Sequence, residues 1–501
     1  MSRLVCVSNR LPNPSGAPPR GGLASGLDGL LHEMGGLWIG WSGQSVARSR
    51  PAATIKDGDS YSTLSIDLPH DDVEGYYHGF ANRTLWPICH RRADLVEINN
   101  STYRTYRKVN ADLARIVSGV IHRDDVIGIH DYHLFPLGAE LRRRGVSNRI
   151  GFFLHVPVPP REILAGLPWA EELVTSLAGY DLVGLQTTRD GWNLMDFAVH
   201  ELGGELVDGG TITLRSGRIE AGVYPIGIDT SWFALTAAVS GKGEQPQTAR
   251  GEGQHTVLGV DRLDYSKGIP ERLRAFDDLL ESHPEYRRRV RMVQVSAPSR
   301  EEVPAYRQLK REVAEISGDI NGRLGDLDWT PVCFLNKALP QTKLAELYRS
   351  SRVGVVTPVA DGMNLVAKEY VACQDSENPG VLVLSRFAGA AEQLSGAVSV
   401  NPHHHSAIVA ALRKALAMPL EERKARWCAM MSTLERNTVH RWGRDFVTDL
   451  RKPRGRLAHP AAHQWAWRPA PPRPAVPRRT AGYRKMPASP RAFDRAPFQR
   501  E

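Results

Sequence analysis

The chain has 501 residues, of which 42% are hydrophobic, which is enough for two or three globular domains with real cores. Its net charge of +9 arises in residues 451–501, which hold 13 Lys/Arg and 2 Asp/Glu, whereas the other 450 residues hold 51 basic and 53 acidic ones. Because the main part is not basic, we expect no nucleic-acid partner. No run approaches the roughly 20 apolar residues that cross a bilayer, so we expect no membrane span.

The cysteines and the first residues indicate the compartment. Five cysteines are scattered along the chain, mostly inside apolar runs, and no two stand at a metal-ligand spacing. Such cysteines are typical of buried, reduced thiols. Only residues 4–7 are apolar at the start of the chain, which is too short a run for a secretion signal. We therefore expect a cytoplasmic protein.

Residues 451–501 form a tail of different composition. Ten prolines among these 51 residues oppose both helix and sheet, so the tail is predicted to be disordered. A solvated appendage is the favoured interpretation, and weak binding to a polyanion or a membrane surface is the alternative.

The chain opens with a strand, a loop and a helix. Residues 4–8 (LVCVS) predict the strand, which is followed by Asn9, Arg10 and a proline-rich loop. The loop ends in Gly21-Gly22, and a helix is predicted through Leu31. A glycine pair lets the backbone approach a phosphate closely, but so short a motif has low specificity.

Two aromatic regions follow. Residues 36–43 (GLWIGWSG) predict a strand whose Trp38 and Trp41 point to opposite faces, which favours core positions over a ligand platform. Residues 67–110 are predicted to be less regular. Their aromatic side chains lie among basic residues and could wall a sugar site; they are Tyr76, Tyr77, Phe80, Trp86 and Tyr103.

Two later strands end in polar clusters. The strand at 125–129 ends in HDYH (130–133), with a helix to Arg144, and the strand at 149–154 ends at His155. Ligands bind beyond the carboxyl ends of strands in doubly wound sheets, so both clusters are candidate site residues. A metal site at His-Asp-x-His is rejected, because residues at a strand end alternate sides and no third ligand stands at helical spacing.

The strand pattern divides the chain into two similar halves. Strands at 182–186 and 222–226 close the first half, and the polar, glycine-rich residues 237–255 predict a linker. Strands then alternate with helices at 256–260, 291–296, 332–335, 353–357, 381–385 and 397–400. This rhythm predicts an α/β fold with doubly wound parallel sheets, in domains 1–236 and 256–450, followed by the tail at 451–501.

Cations follow several of these strands. DRLDYSKG (261–268) places Arg262 and Lys267 in one loop, and SAPSR (296–300) places Arg300 after the next strand. A lone cation in a loop is usually solvated, but these three and Arg10 all lie at or near sheet edges. We therefore predict a shared anion site, in which Arg262 and Lys267 converge on a diphosphate.

The stretch 351–374 turns from strand to loop to helix. Residues 353–356 predict a buried strand, DGMN (361–364) makes the turn, and the helix begins at Leu365. The first amides of that helix point back to the sheet edge, where they can bind an anion. Glu369 lies one turn further on the same face and could accept two hydroxyls of a ribose or sugar. A capped helix with no ligand is the alternative.

Residues 326–330 (DLDWT) match the DxDxT pattern of phosphoaspartate phosphatases. The first Asp of that pattern must end a buried strand. Here the preceding GDINGRLG predicts a polar turn, so the match is interpreted as accidental.

The motifs along the chain share an order with one known family. They are SNRLP (8–12), GGL (21–23), GLWIGWSG (36–43), HDYHL (130–134), FFLHVPVPP (152–160), YPIGID (224–229), DRLDYSKG (261–268), SAPSR (296–300), DGMNLVAKEY (361–370) and LSRFAGAAE (384–392). Over about residues 3–450 the chain resembles the trehalose-6-phosphate synthases, retaining glucosyltransferases with two facing Rossmann-like domains, the GT-B architecture.

The resemblance implies a UDP-glucose site mainly on the second domain. Arg262 and Lys267 would hold the donor diphosphate, Gly22 would close over it, and Glu369 would bind the ribose. Asp361 would touch the glucose. The helix start would line the diphosphate, through Leu365, Val366, Ala367 and Lys368.

The resemblance also implies a glucose 6-phosphate site in the first domain. His155 would lie beside the reacting anomeric carbon and would form the catalytic set with Arg262, Lys267 and Asp361. The acceptor pocket would consist of Arg10, Tyr77, Trp86, Asp131 and Arg300.

One segment departs from the family. Backbone near Leu339 would face the nucleotide base, where relatives have an aromatic residue and an arginine around positions 339–341. This chain has Leu339, Pro340 and Gln341, so the resemblance does not extend to the residues that would set the base preference.

The implied reaction transfers glucose from UDP-glucose to glucose 6-phosphate with retention, giving trehalose 6-phosphate and UDP. No Asp-x-Asp stands at a predicted strand end, so two cations would neutralise the leaving diphosphate, with no cofactor or metal ion. Without a clear carboxylate nucleophile, the leaving phosphate would take the acceptor's proton in a same-face attack. The resemblance also leads us to expect a homo-oligomer, either a dimer or a tetramer.

Three alternatives stay open. The chain could use another nucleotide donor, could use a glycerol phosphate acceptor, or could be a catalytically silent interaction subunit. The presence of Arg262, Lys267 and Glu369 argues against a silent subunit. The acceptor side favours a phosphosugar through Tyr77, Trp86 and Arg300.

Overall fold

The computed structural model describes residues 3–12, 22–47, 50–208, 210–240 and 254–453. Within these ranges, sixteen strands form two sheets. The strands are β1 (Leu4–Arg10), β2 (Leu37–Val46), β3 (Ala52–Lys56), β4 (Ser62–Pro69), β5 (Val126–His130), β6 (Arg149–Phe153), β7 (Leu182–Leu185), β8 (Glu205–Asp208), β9 (Thr211–Leu214), β10 (Gly217–Val223), β11 (His255–Arg262), β12 (Val290–Ala297), β13 (Val332–Leu335), β14 (Val353–Val356), β15 (Val381–Ser385) and β16 (Val398–Val400).

The first sheet has the order β3-β4-β2-β1-β5-β6-β7-β10-β9-β8. Its central strands are parallel, and β3, β8 and β9 add antiparallel edges. Trp38 and Trp41 are both buried and belong to separate cores on the two faces of β2, as predicted. The sequence prediction missed β3, β4, β8 and β9, because these strands lack a continuous apolar run; β3, for example, is almost wholly exposed.

The second sheet is parallel throughout, in the order β13-β12-β11-β14-β15-β16, and contains all six predicted strands. The pairing of β11 with β12 ends at Arg262 opposite Ala297. The loops that follow these two strands therefore leave the same edge of the sheet side by side, which brings the segments of Arg262 and Arg300 together.

Helices cover both sheets. They are α1 (Gly22–Met34), α2 (His70–Asp72), α3 (Trp86–Cys89), α4 (Asn100–Ser118), α5 (Leu137–Arg143), α6 (Arg161–Leu164), α7 (Ala170–Ser176), α8 (Thr188–His200), α9 (Thr230–Ser240), α10 (Ile269–Ser282), α11 (Pro304–Leu324), α12 (Gln341–Ser350), α13 (Leu365–Ala372), α14 (His405–Ala417), α15 (Leu420–Arg436) and α16 (Val439–Arg451). No helix of the described ranges is long and apolar enough to span a membrane.

Two sequence predictions are wrong locally. A π-helix at Val73–Leu85 joins α2 to α3, so much of the region expected to be less regular is helical. Three of its aromatic residues, Tyr76, Phe80 and Tyr103, are buried in the core instead of walling a site. The residues before DLDWT also belong to helix α11 and do not form a turn. DLDWT itself precedes β13, at the amino edge of the second sheet.

Helix α9 belongs to the first half of the sequence but contacts the second half of the structure, and helix α16 does the reverse. Phe233 of α9 contributes its carbonyl to Cys373, next to α13, with a sulfur–oxygen distance of 3.7 Å. In return, Phe446 and Leu450 of α16 cover Gly151 of β6. The domain limits at 236 and 256 stay a prediction, since most of the expected linker (241–253) and of the tail (454–501) lies outside the described residues.

Candidate active site

A buried arginine, Arg272, holds the loop after β11 in place through hydrogen bonds. Arg272 is fully buried and donates to the Asp261 carboxylate at 2.6 Å and to the Lys267 carbonyl at 2.8 Å. Gly268 has a φ of 63°, and a Cβ there would lie 2.1 Å from the carbonyl oxygen of Thr357. Only glycine fits this approach, so Gly268 and the bonds of Arg272 together hold the segment that carries Lys267.

Lys267 and Asp361 form an ion pair at the carboxyl edge of the second sheet. Their nitrogen–oxygen distance is 2.5 Å, and Asn364 donates to the same carboxylate oxygen at 3.0 Å. Burial acts to raise the pKa of Asp361, but Lys267 more than offsets it, so the pKa is lowered and the group is ionised at neutral pH. Arg262 is exposed, with its guanidinium carbon 5.2 Å from the centre of the Trp86 ring. Both predicted cations thus lie on this edge.

Helix α13 begins at the same edge. Asn364 is its N-cap, and its side-chain oxygen accepts from the amide of Ala367 at 3.1 Å. Helix geometry leaves the earlier amides, those of Leu365 and Val366, without an acceptor inside the helix. The side chain of Lys368 is fully buried and bonded within the protein, so this residue can offer only backbone to a ligand at the helix start.

Glu369 lies one residue further along α13 and is partly buried. Tyr348 of α12 donates to its carboxylate at 3.0 Å. Burial raises the pKa of Glu369 to about 7, and the bond from Tyr348 opposes this shift. The predicted ribose ligand is therefore a carboxyl group that titrates near neutral pH.

His155 meets the DGMN turn backbone to backbone. A Cβ at Gly362 would lie 2.0 Å from the His155 carbonyl oxygen, so glycine is required at this contact between the halves. The His155 amide donates to the carboxylate of Asp131 at 3.2 Å. Burial raises the pKa of Asp131 to about 6, against the effect of backbone donors and of nearby arginines. The structure thus brings together His155, Asp131 and the segment of Asp361.

Arg300 lies where the two halves meet. Its guanidinium carbon is 3.8 Å from the centre of the Trp86 ring, and it donates to the hydroxyl of Tyr132 at 3.3 Å. It also pairs with Asp264 at 2.9 Å and donates to Tyr306 at 2.6 Å. The side chain of Asp264 is completely buried, which would raise its pKa, but Arg300 and the neighbouring cations hold that pKa well below its usual range. The charge of Arg300 is therefore already balanced by a carboxylate.

Aromatic contacts connect Arg10 with Arg300. The guanidinium of Arg10 lies over the Trp41 ring at 5.5 Å, and Trp41 contacts Tyr77 edge to face at 5.3 Å. Tyr77 stacks on His133, whose ring centre is 3.9 Å from that of Tyr132, the partner of Arg300. The five predicted acceptor residues therefore adjoin one continuous cluster; they are Arg10, Tyr77, Trp86, Asp131 and Arg300.

The remaining predicted donor residues lie at the periphery. Gly22 begins α1, and Gly21 is outside the described ranges. Leu339 is partly buried between β13 and α12, on the carboxyl side of β13. Because α12 also supplies Tyr348 to Glu369, the segment of Leu339 leads into the helix beside the predicted ribose ligand.

Backbone strain is concentrated in this region. Five described residues other than glycine have positive φ, and three of them are Asp131, Arg300 and Asn364. Each such residue costs about 1–3 kcal/mol and persists only where its surroundings fix it. Strain in three segments that follow β5, β12 and β14 and lie at the sheet edges around the predicted site is typical of a functional site.

Sequence reasoning missed the residues that orient the predicted ones. Asp264 lies in the DRLDYSKG motif but was not singled out, and Tyr132 lies in HDYH in the same way. His90 is buried against Trp86, with ring centres 3.9 Å apart, and burial lowers its pKa to about 4. Arg272 and Tyr306 carried no signal, because an ionisable residue inside a helix is usually solvated.

The cleft therefore combines two cations at a strand edge, free helix amides, a titratable carboxyl group and an aromatic cluster with a charged arginine. Such an arrangement can hold a diphosphate, a sugar and a second anion together. Across the part of the chain that the structure describes, no cluster of three or more His, Cys, Asp or Glu residues could hold a metal ion.

Comparison with known proteins gives the family. The model of glycosyltransferase family 20 matches residues 13–452. A trehalose-6-phosphate synthase of Sinorhizobium fredii is 47% identical over 457 residues, covering 90% of this chain and 98% of that protein.

Two solved structures are similar over 90% of the chain. The UDP-forming trehalose-phosphate synthase of Burkholderia xenovorans, in complex with glucose-6-phosphate, is 43% identical, has a TM-score of 0.87 and is covered over its full length. An E. coli structure bound with UDP-2-fluoro glucose is 42% identical, has a TM-score of 0.85 and is covered over 99%. The two parallel sheets match the predicted GT-B fold, and the chain is a glycosyltransferase that belongs to glycosyltransferase family 20.

Proposed function

We propose that the chain transfers glucose from UDP-glucose to glucose 6-phosphate with retention of configuration, giving trehalose 6-phosphate and UDP. One observation carries this proposal. The cations after β11 and the balanced Arg300 lie in one cleft, and both Arg262 and Arg300 contact the ring of Trp86. The edge that carries Arg262 and Lys267 thus adjoins the aromatic cluster that holds Arg300. The likeness to proteins solved with glucose-6-phosphate and with UDP-2-fluoro glucose supports the two substrates.

The donor is assigned to the second sheet. In this proposal Arg262, Lys267 and the first amides of α13 bind the diphosphate, and Gly22 closes over it. Glu369 binds the ribose in its ionised form, and backbone near Leu339 faces the base. The ion pair of Lys267 with Asp361 orients the ammonium group before the donor arrives, since the two atoms are only 2.5 Å apart.

The acceptor is assigned to the aromatic cluster. Arg300 binds the phosphate of glucose 6-phosphate together with Arg10, while Tyr77 and Trp86 shape the sugar's place beside Asp131. Because Arg300 is already paired with Asp264, it is held rigidly and can present its remaining N–H groups to a phosphate without reorganising.

The transfer itself needs stabilisation of the leaving group. The bond from the anomeric carbon to the donor phosphate breaks, and the acceptor hydroxyl oxygen bonds to that carbon on the same face. The hydroxyl proton passes to the departing phosphate oxygen. Arg262 and Lys267 stabilise the negative charge that grows on the diphosphate. Asp361 is less suited to attack the carbon, since its carboxylate is shared between Lys267 and Asn364.

Further parts of the proposal concern the chain as a whole. We infer an acceptor-binding domain at 1–236 and a nucleotide-sugar-binding domain at 256–450, supported by the two sheets. A cytoplasmic location is supported by five cysteines without disulfide partners. A homo-oligomeric state, dimer or tetramer, is expected from the resemblance and can be measured by light scattering.

One assay tests the proposed function. Product formation is measured from UDP-, ADP- and GDP-glucose with glucose 6-phosphate, glycerol phosphate or unphosphorylated glucose, with and without a chelator. We expect trehalose 6-phosphate from UDP-glucose and glucose 6-phosphate, unchanged by the chelator. Preference for another donor or for glycerol phosphate would establish the corresponding alternative, and no product from any pair would favour a silent subunit.

A further inference from the structure

A chain of hydrogen bonds runs from His155 into the first half of the molecule. Gln186 follows β7, is buried, and lies within 3.2 Å of the Nδ1 atom of His155 through its side-chain nitrogen. The Nε2 atom of His155 lies 3.2 Å from the Nδ1 atom of His130, which is also buried. Both ring nitrogens of His155 are therefore engaged by protein groups.

The backbone of Ile226 fixes the direction of these bonds. Its amide can only donate, and it donates to the side-chain oxygen of Gln186 at 3.0 Å. The nitrogen of Gln186 must then face His155, whose Nδ1 atom accepts. Consequently the Nε2 atom of His155 carries the hydrogen and donates to His130. Burial lowers the pKa of both rings, so the pair is neutral at pH 7.

The carbonyl of Ile226 is bonded from the other half. The ammonium group of Lys368, on α13, donates to this oxygen at 2.6 Å and to the side-chain oxygen of Gln393 at 2.6 Å. Lys368 is completely buried, and its nitrogen forms none of the ion pairs found among the described residues. Burial lowers the pKa of Lys368 to about 7, and an apolar side chain of similar length would fill the same volume at lower cost.

Lys368 thus connects α13 to His155 through a series of hydrogen bonds. Its neighbours on α13 are the free amides at Leu365 and Val366 and the carboxyl group of Glu369. The bonds from Lys368 through Ile226 and Gln186 end on the ring of His155, whose backbone packs against the DGMN turn. A shift of α13 relative to the first sheet would break this series at Ile226.

We propose that Gln186 and Lys368 are positioning residues, which hold the backbone of Ile226 from the segment after β7 and from α13, and fix His155 in its Nε2-protonated tautomer beside the transferred sugar. This inference rests on the proposed function for its kinetic part only. The tautomer of His155 and the bonds of Ile226 are properties of the protein without substrate.

The kinetic test uses Gln186→Leu and Lys368→Met, with Gln254→Leu and Lys424→Met as controls that each remove one solvent-exposed hydrogen bond. We expect kcat to fall roughly tenfold to a hundredfold in both variants, because misplacement by about 1 Å can cost this much. The KM values of both substrates should change less than threefold, and the controls should match the parent. A purely structural role would lower Tm and leave kcat per folded molecule within twofold of the parent, which would overturn the proposal.

The spectroscopic test does not depend on activity. Nitrogen NMR of histidine-labelled protein reports which ring nitrogen of His155 carries the hydrogen. We expect Nε2–H in the parent and a change to Nδ1–H in Gln186→Glu, since an ionised Glu can only accept. An Nδ1–H tautomer in the parent would overturn the proposal even if the enzyme is active. If the parent makes no trehalose 6-phosphate but shows Nε2–H, the proposed function fails and the hydrogen-bond assignment stands.

Discussion

The donor and acceptor sides of the cleft carry similar charges but differ in how those charges are balanced. On the proposed donor side, Arg262 is exposed, and Lys267 pairs with the carboxylate of Asp361 at the sheet edge where the donor is proposed to bind. On the acceptor side, Arg300 is paired with Asp264, which is completely buried and remote from solvent. If the proposed roles hold, Arg262 and Lys267 are available to respond to charge that develops during transfer, whereas Arg300 is a fixed group that binds the acceptor phosphate and also stabilises the fold.

The largest expected effect is on the donor side. Lys267→Ala removes a cation that stabilises the leaving diphosphate, worth on the order of 3 kcal/mol, or roughly a hundredfold in kcat. Steady-state kinetics with varied UDP-glucose should show a smaller change in KM than in kcat. Lys343→Ala, at an exposed ion pair on α12, is the control. An unchanged kcat in Lys267→Ala would contradict leaving-group stabilisation by this residue.

On the acceptor side we expect a combined effect on binding and stability. Arg300→Ala should raise KM for glucose 6-phosphate about tenfold or more, since a charge-assisted bond is worth about 1.5–3 kcal/mol. It should also lower the free energy of unfolding by about 3–5 kcal/mol, because Asp264 is left buried and unpaired. Titration of both substrates and denaturant unfolding measure the two effects.

A second substitution separates these two effects. Adding Asp264→Asn to Arg300→Ala should recover much of the stability but none of the acceptor affinity, since the buried charge is gone and the phosphate ligand is still missing. Arg311→Ala, at an exposed position, is the control. If Arg300→Ala discriminates glucose 6-phosphate from glucose as well as the parent does, Arg300 does not read the phosphate.

A smaller effect depends on pH at Glu369. Its pKa near 7 means that the ionised, ribose-binding form is lost as pH falls through 7, so donor affinity should weaken between pH 8 and 6. Glu369→Gln should weaken the donor at pH 8 and remove most of this pH dependence. Calorimetric titration with UDP at several pH values measures it, with Glu302→Gln as an exposed control.

Glu369→Gln should weaken donor binding at pH 8 but increase the stability of the folded chain at that pH. The folded pKa of Glu369 is raised above its ordinary value of 4.5, so the folded chain holds the proton longer and stability falls as pH rises from about 4.5 to 7. Glu369→Gln should therefore be more stable than the parent at pH 8, by about 1–3 kcal/mol, and the difference should shrink toward pH 4.5. An unchanged Tm at pH 8 would indicate that the carboxyl group is better solvated.

The smallest expected effect concerns the tail. A chain that ends at Pro453 keeps α16 and the Lys452 carbonyl that Arg149 binds. Proline density and one-sided charge prevent residues 454–501 from adding a packed core, so kcat and Tm should stay those of the full chain. A marked fall in either value would show that the tail contacts the body.

The elements that carry the proposed donor residues were predictable from sequence because their signals are local. Arg262 ends β11 and Lys267 follows five residues later, and Asn364 with Glu369 stand at the start of one helix. The proposed acceptor side depends on contacts between distant segments. Trp86 and Arg300 are in contact although more than 200 residues separate them in the sequence. Periodicity places each of these residues on an element, but it does not state which elements meet.

Helix α16 shows the same limit for the fold. Its apolar face is evident in the sequence, since Trp442, Phe446 and Leu450 are spaced by four residues, yet nothing local indicates that it packs on the first sheet. Composition predicts a linker at 237–255, of which 237–240 belong to α9 and 241–253 lie outside the described residues, and it does not predict the return of the chain from the second half to the first.

The packing of α16 on the first sheet has a consequence for synthesis on the ribosome. Gly151 and Gly184 of the first sheet lie under Phe446 and Leu450, which are translated about 260–300 residues later. Until then, the first half has an apolar strip of sheet without its cover, and the nascent chain must stay soluble in that state. The two halves therefore cannot mature one after the other as independent units, because α16 covers the first sheet only after the second half has been made.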